Sequence, residues 1–453
     1  MSTPTPSQID FKSVEPTANP KYRFLKLPLN NLTGSSFQVQ PTMTQTMEFK
    51  LPNTVYNLAQ SYVSYQLSIP AAGGTAFDWT FEDCFDLATN AYFGSAGGQD
   101  LCNLQYVNRY TKVVRKMKTS FTEFMTKDSS SQLYPCNGPA GPGNPSATPP
   151  VNPIAATGSG SMTNYTEPRY LQVGTSNALT LANRFFNLRG IKDTIFSVDK
   201  DLYIPTDMYV RFNAGVGAQM GFVSAAVNDP TSTAVAITSP ITVQNVFLYL
   251  AVEQNQLIVD SVMAKVLSTG LKLTIPYTTA FRNSSTGTIA NINIPINSGY
   301  GRKLKRMIHT VWNATESSNT ALDCANTNGS KITLYNTFLD NKQLQDSQLS
   351  TVAAPGTAGS PNLDDWRENS KYCKGSVIQN RAMYQNNWYH CDSWVEPSAH
   401  YFEDDSNEDD GLPMDAPRLW QMQSVTANGT WNHYNFATFV RHVLIDRNGP
   451  NFV

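Results

Sequence analysis

The sequence predicts an all-β protein: two tandem eight-stranded jelly-roll β-sandwiches joined by a short helix, with long decorating loops. Three observations carry this. Two-residue alternation recurs along the chain, as in Val63, Tyr65, Leu67 and Ile69 against Ser64, Gln66 and Ser68. Helical spacing is confined to a few short stretches. The same strand style also returns after a central linker, where Ile292, Ile294 and Ile296 alternate with Asn291, Asn293 and Asn297.

The central stretch, Ile241 to Pro276, organises the rest. Its first part, 241–252, is β-branched and aromatic, with Val246, Leu248, Leu250 and Val252 on one face and Phe247, Tyr249 and Ala251 on the other. Both faces are therefore expected to be covered. The period then changes, and Leu257–Thr269 reads as a helix with Val259, Met263 and Val266 along one stripe. Asn255 suits the N-cap and Gly270 the stop. Alternation resumes through Leu271, Leu273 and Ile275 and is expected to end at Pro276. The arrangement predicts a linker helix over 256–270 that fixes a second sandwich beside the first.

Taken in order, residues 1–35 carry five prolines and no sustained period, and read as an extended N-terminal arm. The first sandwich is expected over 36–255 and the second over 271–453. Ile-Pro pairs at 69–70, 204–205, 275–276 and 294–295 are read as strand ends. A helix is predicted over Leu104–Thr126, with Arg109, Lys112, Arg115, Lys116 and Lys118 on a solvated face that caps one end of the sandwich. Tyr134–Pro168 is rich in proline, glycine and serine and reads as a long exposed loop. Strands are expected at Ile195–Val198 and Leu202–Phe212, a polar stretch at Ser224–Ser239, and a turn at Asp340-Asn341 after the strand Ile332–Leu339.

Composition narrows the function classes. At 453 residues the chain is long enough for two or three domains. Charged residues make up 15% of it and the formal net charge is -2, so bulk attraction to nucleic acid is not expected. The N-terminal residues lack the basic and apolar parts of a signal peptide, which leads to the expectation of a soluble product made in the cytosol. The six cysteines are far apart with no C-x-x-C pair, and are read as free, mostly buried thiols.

No catalytic set is expected, because the sequence holds no nucleophile elbow, phosphate loop or zinc-protease helix. His390, Cys391 and Asp392 adjoin, but neighbouring strand residues point to opposite faces and cannot form a His–Cys dyad. In the acidic run 403–410, Asp405, Asn407 and Asp409 match the first oxygen positions of a calcium loop. Asp410 stands where glycine is required and Ala416 where the bidentate glutamate is required, so no metal site is assigned. The basic patch Arg302, Lys303, Lys305 and Arg306 is read as exposed, bridging subunits or solvated. No cofactor is expected, and the five histidines show no ligand spacing.

Three segments resemble the double-jelly-roll major capsid proteins of the virophage, Polinton-like and adenovirus-type lineage. They are Val243–Asp260 with Val266-Leu267, Ile292–Asn313, and Lys331–Leu344. The resemblance implies a non-enzymatic major capsid protein of the virion, synthesised in the host cytoplasm. It implies homotrimeric, pseudo-hexagonal capsomers in an icosahedral shell, with contacts to neighbouring capsomers, penton and minor capsid proteins. No sequence-specific nucleic-acid contact is implied, while the arm could reach an internal membrane. The competing reading is a tandem jelly-roll lectin, in which exposed Trp388, Tyr389 and Trp394 stack on sugars.

Overall fold

Alternating burial along each segment becomes two sandwiches of antiparallel strands. A computed structural model describes residues 20–32, 34–39, 44–69, 77–79, 87–95, 100–118, 171–173, 179–215, 221–222, 241–313, 331–351, 363–370, 384, 388–395 and 410–452. The predicted loop 134–168, the predicted polar stretch 224–239, the predicted helical residues 119–126 and the acidic residues 403–409 lie outside the described residues.

The first sandwich comprises β1 (Tyr22–Pro28), β2 (Phe37–Val39), β3 (Gln45–Lys50), β4 (Tyr56–Ile69), β5 (Ala88–Ser95), β6 (Asp100–Gln105), β7 (Leu179–Asn187), β8 (Met208–Ala214) and β9 (Ile241–Glu253). One sheet runs β1-β9-β4-β7 with β2 also on β9, and the facing sheet runs β3-β8-β5-β6. Between them lie Val63, Tyr65 and Leu67 of β4, Leu248 and Leu250 of β9, and Phe49, Phe93, Val210 and Phe212 of the facing sheet. Phe186 meets Phe212 edge to face at 5.3 Å. β1 corrects the sequence reading, because 22–28 is a paired strand rather than loose arm, in register from Tyr22↔Glu253 to Pro28↔Phe247. The Glu253 carboxylate secures this end: its Oε1 accepts from the backbone N–H groups of Lys21, Gln254 and Asn255.

β9 is deeply buried on one face. Its other face is half covered by an aromatic row: Tyr249 stacks on Tyr62 at 4.8 Å, and Lys26 sits 3.8 Å above Phe247. Ile195–Ser197, expected as strand, is a short 3₁₀ turn, because Thr194 and Ser197 form a reciprocal capping box that satisfies the local N–H groups.

The helix α1 (Val107–Met117) is shorter than predicted. Leu104 belongs to β6, and Tyr106, left-handed at φ 56°, breaks the strand and turns the chain into the helix. The central helix α2 (Gln256–Ser268) sits one residue ahead of the predicted 257–269, with Asn255 Oδ1 accepting from Leu257 N–H. It buries Ile258, Val262 and Val266.

Two long strands dominate the second sandwich, β10 (Leu271–Ile296) and, near the C-terminal end, Arg418–Asp446. Between them come β11 (Lys303–Asn313), β12 (Ile332–Leu339), the helix α3 (Leu363–Ser370) and β13 (His390–Ser393); the long partner is β14 (Arg418–Asp446), followed by β15 (Gly449–Phe452). β10 pairs with β14 from Leu271↔Ile445 to Ile296↔Arg418. The other side of β14 pairs first with β12, then with β11, so the two long strands tie the pairings of this half into one continuous sheet. The register shifts between Gly287 (φ 97°) and Ile289, and glycine permits the bend.

Pro276 and Pro295 lie inside β10, opposite Val440 and Leu419, so neither ends a strand as predicted. Among the described residues β10 pairs only with β14, and a missing N–H on its open edge breaks no ladder. Asp340 and Asn341, at φ 50° and 66°, form the predicted two-residue hairpin turn after β12. One apolar cluster runs through both sandwiches.

Candidate functional site: the joint between the sandwiches

The apolar cluster is continuous because α1 is wedged between the two sandwiches. Its Val107, Tyr110, Val113, Val114 and Met117 are all buried. Tyr106 meets Tyr434 of β14 edge to face at 5.1 Å, and Tyr110 meets Phe436 at 5.0 Å. The Arg109 guanidinium lies 5.1 Å from the Trp312 ring and 5.7 Å from Tyr434. Helical spacing is visible in the sequence, but the basic residues on it suggest solvent. Here Arg109 and Lys118 are buried instead, their stems and charges used in the joint.

Asp193 is the polar centre of this joint. Its backbone is left-handed at φ 55° and its side chain is wholly buried. Lys118 Nζ lies 2.5 Å from Oδ1, and Arg306 NH1, from β11, lies 3.6 Å from Oδ2. The Tyr110 hydroxyl donates to the Lys192 carbonyl at 3.0 Å, and Thr278 of β10 donates to the Asp193 carbonyl at 2.7 Å. Elements of both sandwiches thus converge on one carboxylate. In a low-dielectric setting such a group is tolerable only when charged and hydrogen-bonding partners surround it.

A second seam lies alongside. The Arg441 guanidinium of β14 sits 3.2 Å over the Tyr277 ring, donates to the Tyr300 carbonyl, and reaches the Asp100 carbonyl of β6 at 3.4 Å. Burial lowers the Arg441 pKa and pushes the Tyr277 phenol up to about 12. Gly449, at φ 104°, packs so closely on Thr206 that a Cβ would come within 2.9 Å of it.

These contacts correct one expectation. The patch Arg302, Lys303, Lys305 and Arg306 is not a uniformly exposed strand entrance: Lys305 and Arg306 are buried, and Arg306 serves the intramolecular joint. The linker α2 leaves Leu257 and Leu267 half exposed but buries Ile258, Val262 and Val266, so it shares the joint with α1.

The chemical candidates resolve as follows. Asp405, Asn407 and Asp409 lie outside the described residues, and among the described residues no group of three or more His, Cys, Asp or Glu could hold a metal ion. His390 and Asp392 share a face, as alternation requires, with Nε2 and Oδ1 3.0 Å apart, while Cys391 points away. Asp392 also accepts from Thr337, Gln345 and Trp420. Burial alone would raise its pKa, but His390 and these hydrogen bonds outweigh it and hold the carboxyl below the usual range. The group is enclosed, and its chemistry is that of a structural network. Cys102 and Cys391 are buried thiols outside any disulfide, and burial pushes Cys102 up to about 12. Trp388 and Tyr389 are fully buried and Trp394 is partly so, which removes the sugar-stacking surface of the lectin reading.

Comparison with solved structures places the fold. No protein-family model matches the sequence, and no curated protein matches it. A chain of the Sputnik virophage, solved by cryo-EM, is similar at TM-score 0.54 and 10% identity, covering 96% of this chain and 89% of that one. The Faustovirus major capsid protein is similar at 0.54 and 9%, covering 95% and 91%. A chain of the PBCV-1 virus capsid is similar at 0.50 and 9%, covering 96% and 97%. Identity this low speaks to architecture, and the likeness runs almost end to end. The chain has the double-jelly-roll fold of these capsid proteins.

Proposed function

We propose that this chain is a viral major capsid protein that self-assembles into pseudo-hexagonal trimeric capsomers of an icosahedral shell. The observation that carries the reading is the fusion of two sandwiches into one block through α1 and Asp193, in a fold matched to capsid proteins over nearly its whole length. Two sandwiches locked side by side give each chain two adjacent lobes, and three chains then give six around one axis. The division follows the same logic, with a first sandwich closing near 255, a linker over 256–270 and a second sandwich from 271.

The work of such a protein is geometric, and we propose no catalytic turnover. Its partners are two further copies, neighbouring capsomers, and penton and minor capsid proteins. The N-terminal arm is our candidate for contact beneath the shell, with minor proteins or an internal membrane. Its place is the virion capsid, after synthesis in the host cytoplasm, and no sequence-specific contact with nucleic acid is proposed.

The test is the native mass of the purified chain, combined with negative-stain imaging. The reading expects a mass of three 50.0-kDa chains and pseudo-hexagonal particles. A stable monomer that binds a glycan matrix would overturn it.

A further inference from the structure

Three of the five histidines, far apart in sequence, meet in the core of the second sandwich. His309 of β11 lies opposite His390 of β13 and opposite Asn435 of β14. Its ring stacks on His433 with centroids 5.3 Å apart, and it touches Trp388 and Trp420 at 6.0 and 6.2 Å. None of the three imidazoles is more than 1% exposed. His309 Nδ1 is 2.7 Å from the Asn435 amide oxygen, His433 Nε2 is 2.8 Å from Ser285 Oγ, and His390 Nε2 is 3.0 Å from Asp392 Oδ1. The second nitrogen of each ring is buried and has no hydrogen-bond partner among the described residues.

The surroundings decide what such a cluster can do. β13 contributes Asp392, already engaged by His390, Trp420, Thr337 and Gln345. α3 contributes Asp365, which accepts from Tyr335 of β12, Tyr384 and Trp388. β10 contributes Ser285 and also Arg282, whose guanidinium donates to Asn432 of β14. The groups bonded to the rings of His309 and His433 are thus the neutral Asn435 and Ser285. A proton on either ring would leave a buried charge with no carboxylate hydrogen-bonded to it, and protons on both would set two like charges against each other.

We propose that the His309–His433 pair is an acid-sensitive trigger: the folded second sandwich admits it only as two neutral rings, and acidification opens the packing of β10, β11 and β14 by charging them. The direction of titration agrees. Burial, with His433 and His390 nearby, holds His309 well below the ordinary imidazole range, and burial holds His433 down to about 4. Both folded-state values lie below the unfolded value of about 6.5, so the unfolded chain binds more protons and stability is lost as pH falls from about 6.5. Asp365 works the other way. Burial raises its carboxyl to about 6, and its proton uptake in the folded state offsets one histidine below that pH. Asp392, held below its usual range, releases its contribution only at still lower pH.

The proposal concerns the single folded chain and does not rest on the capsid reading. Denaturant unfolding of the full chain and of His433→Gln at several pH values tests it, with tryptophan fluorescence reporting from Trp388 and Trp420. The folding equilibrium constant of the parent should fall relative to His433→Gln by about 10-fold per pH unit between about 6.5 and 4. Parallel pH profiles for the two proteins would overturn the proposal. If His433→Gln does not fold, imidazole NMR of the parent chain decides. His309 and His433 staying neutral until unfolding begins supports the trigger, and either ring titrating near 6.5 in the folded chain overturns it.

Discussion

Asp193 in the first sandwich and Arg306 in the second lie 3.6 Å apart, both almost completely buried, with Lys118 closing on the other carboxylate oxygen. Removing one member of such a group is costly because the remaining charges stay in the interior. An asparagine at this position would tolerate the left-handed backbone while losing the charge. Asp193→Asn should therefore weaken the joint by about 3 kcal/mol, read as an earlier onset of denaturant unfolding and a broader transition of lower slope as the two sandwiches uncouple. A loss below half that size would mean that the carboxylate is not the polar centre of the joint.

Tyr110 separates the apolar and polar contributions of the wedge. Tyr110→Phe keeps the edge-to-face contact with Phe436 and removes the hydroxyl from the Lys192 carbonyl, a change worth about 1 kcal/mol. Tyr110→Ala also empties a fully buried ring site and should cost about 3–5 kcal/mol. Equal losses for the two variants would place the energy in the hydrogen bond instead of the packing.

Gly449 tests the second seam. Alanine there must hold a left-handed backbone and push a Cβ against Thr206. The two effects together should cost about 2–3 kcal/mol. Pairing with Thr206→Ala, which removes both the methyl and the hydroxyl that crowd the site, should recover part of that loss. No recovery would assign the cost to backbone strain alone.

Cys102 should be inert in the folded chain. Its thiol is buried and pushed up to about 12, so the thiolate is scarce at pH 8. Peptide mapping after iodoacetamide treatment should find Cys102 unmodified in native protein and alkylated after denaturation. Labelling of the native protein at a rate near that of the denatured one would contradict the burial.

Much of the fold is legible because strand alternation is a local signal. Val63, Tyr65 and Leu67, the β8 residues Met208, Val210 and Phe212, the Asn255 cap and the Asp340-Asn341 turn all behave as their spacing implies. The joint is not legible, because its partners lie far apart in the chain. Nothing near Arg109 shows that Trp312 and Tyr434 will cover it, nor does the run around Arg306 announce Asp193. Pro276 and Pro295 mislead for a related reason: a proline ends a central strand but is harmless on an open edge, and edge position is a tertiary property. The histidine cluster is hidden in the same way. His390 and Asp392 can be placed on one face from their spacing, whereas His309 and His433 join them only through β11 and β14.

The central claim is that two jelly rolls are locked into one block by α1 and the Asp193 group. Differential scanning calorimetry of the purified chain at neutral pH tests this most directly, alongside Asp193→Asn. A joint of this kind makes the sandwiches unfold together, so the parent should give one transition whose calorimetric and van't Hoff enthalpies agree, while Asp193→Asn separates it into two. Two independent transitions in the parent chain, unchanged by Asp193→Asn, would contradict the account.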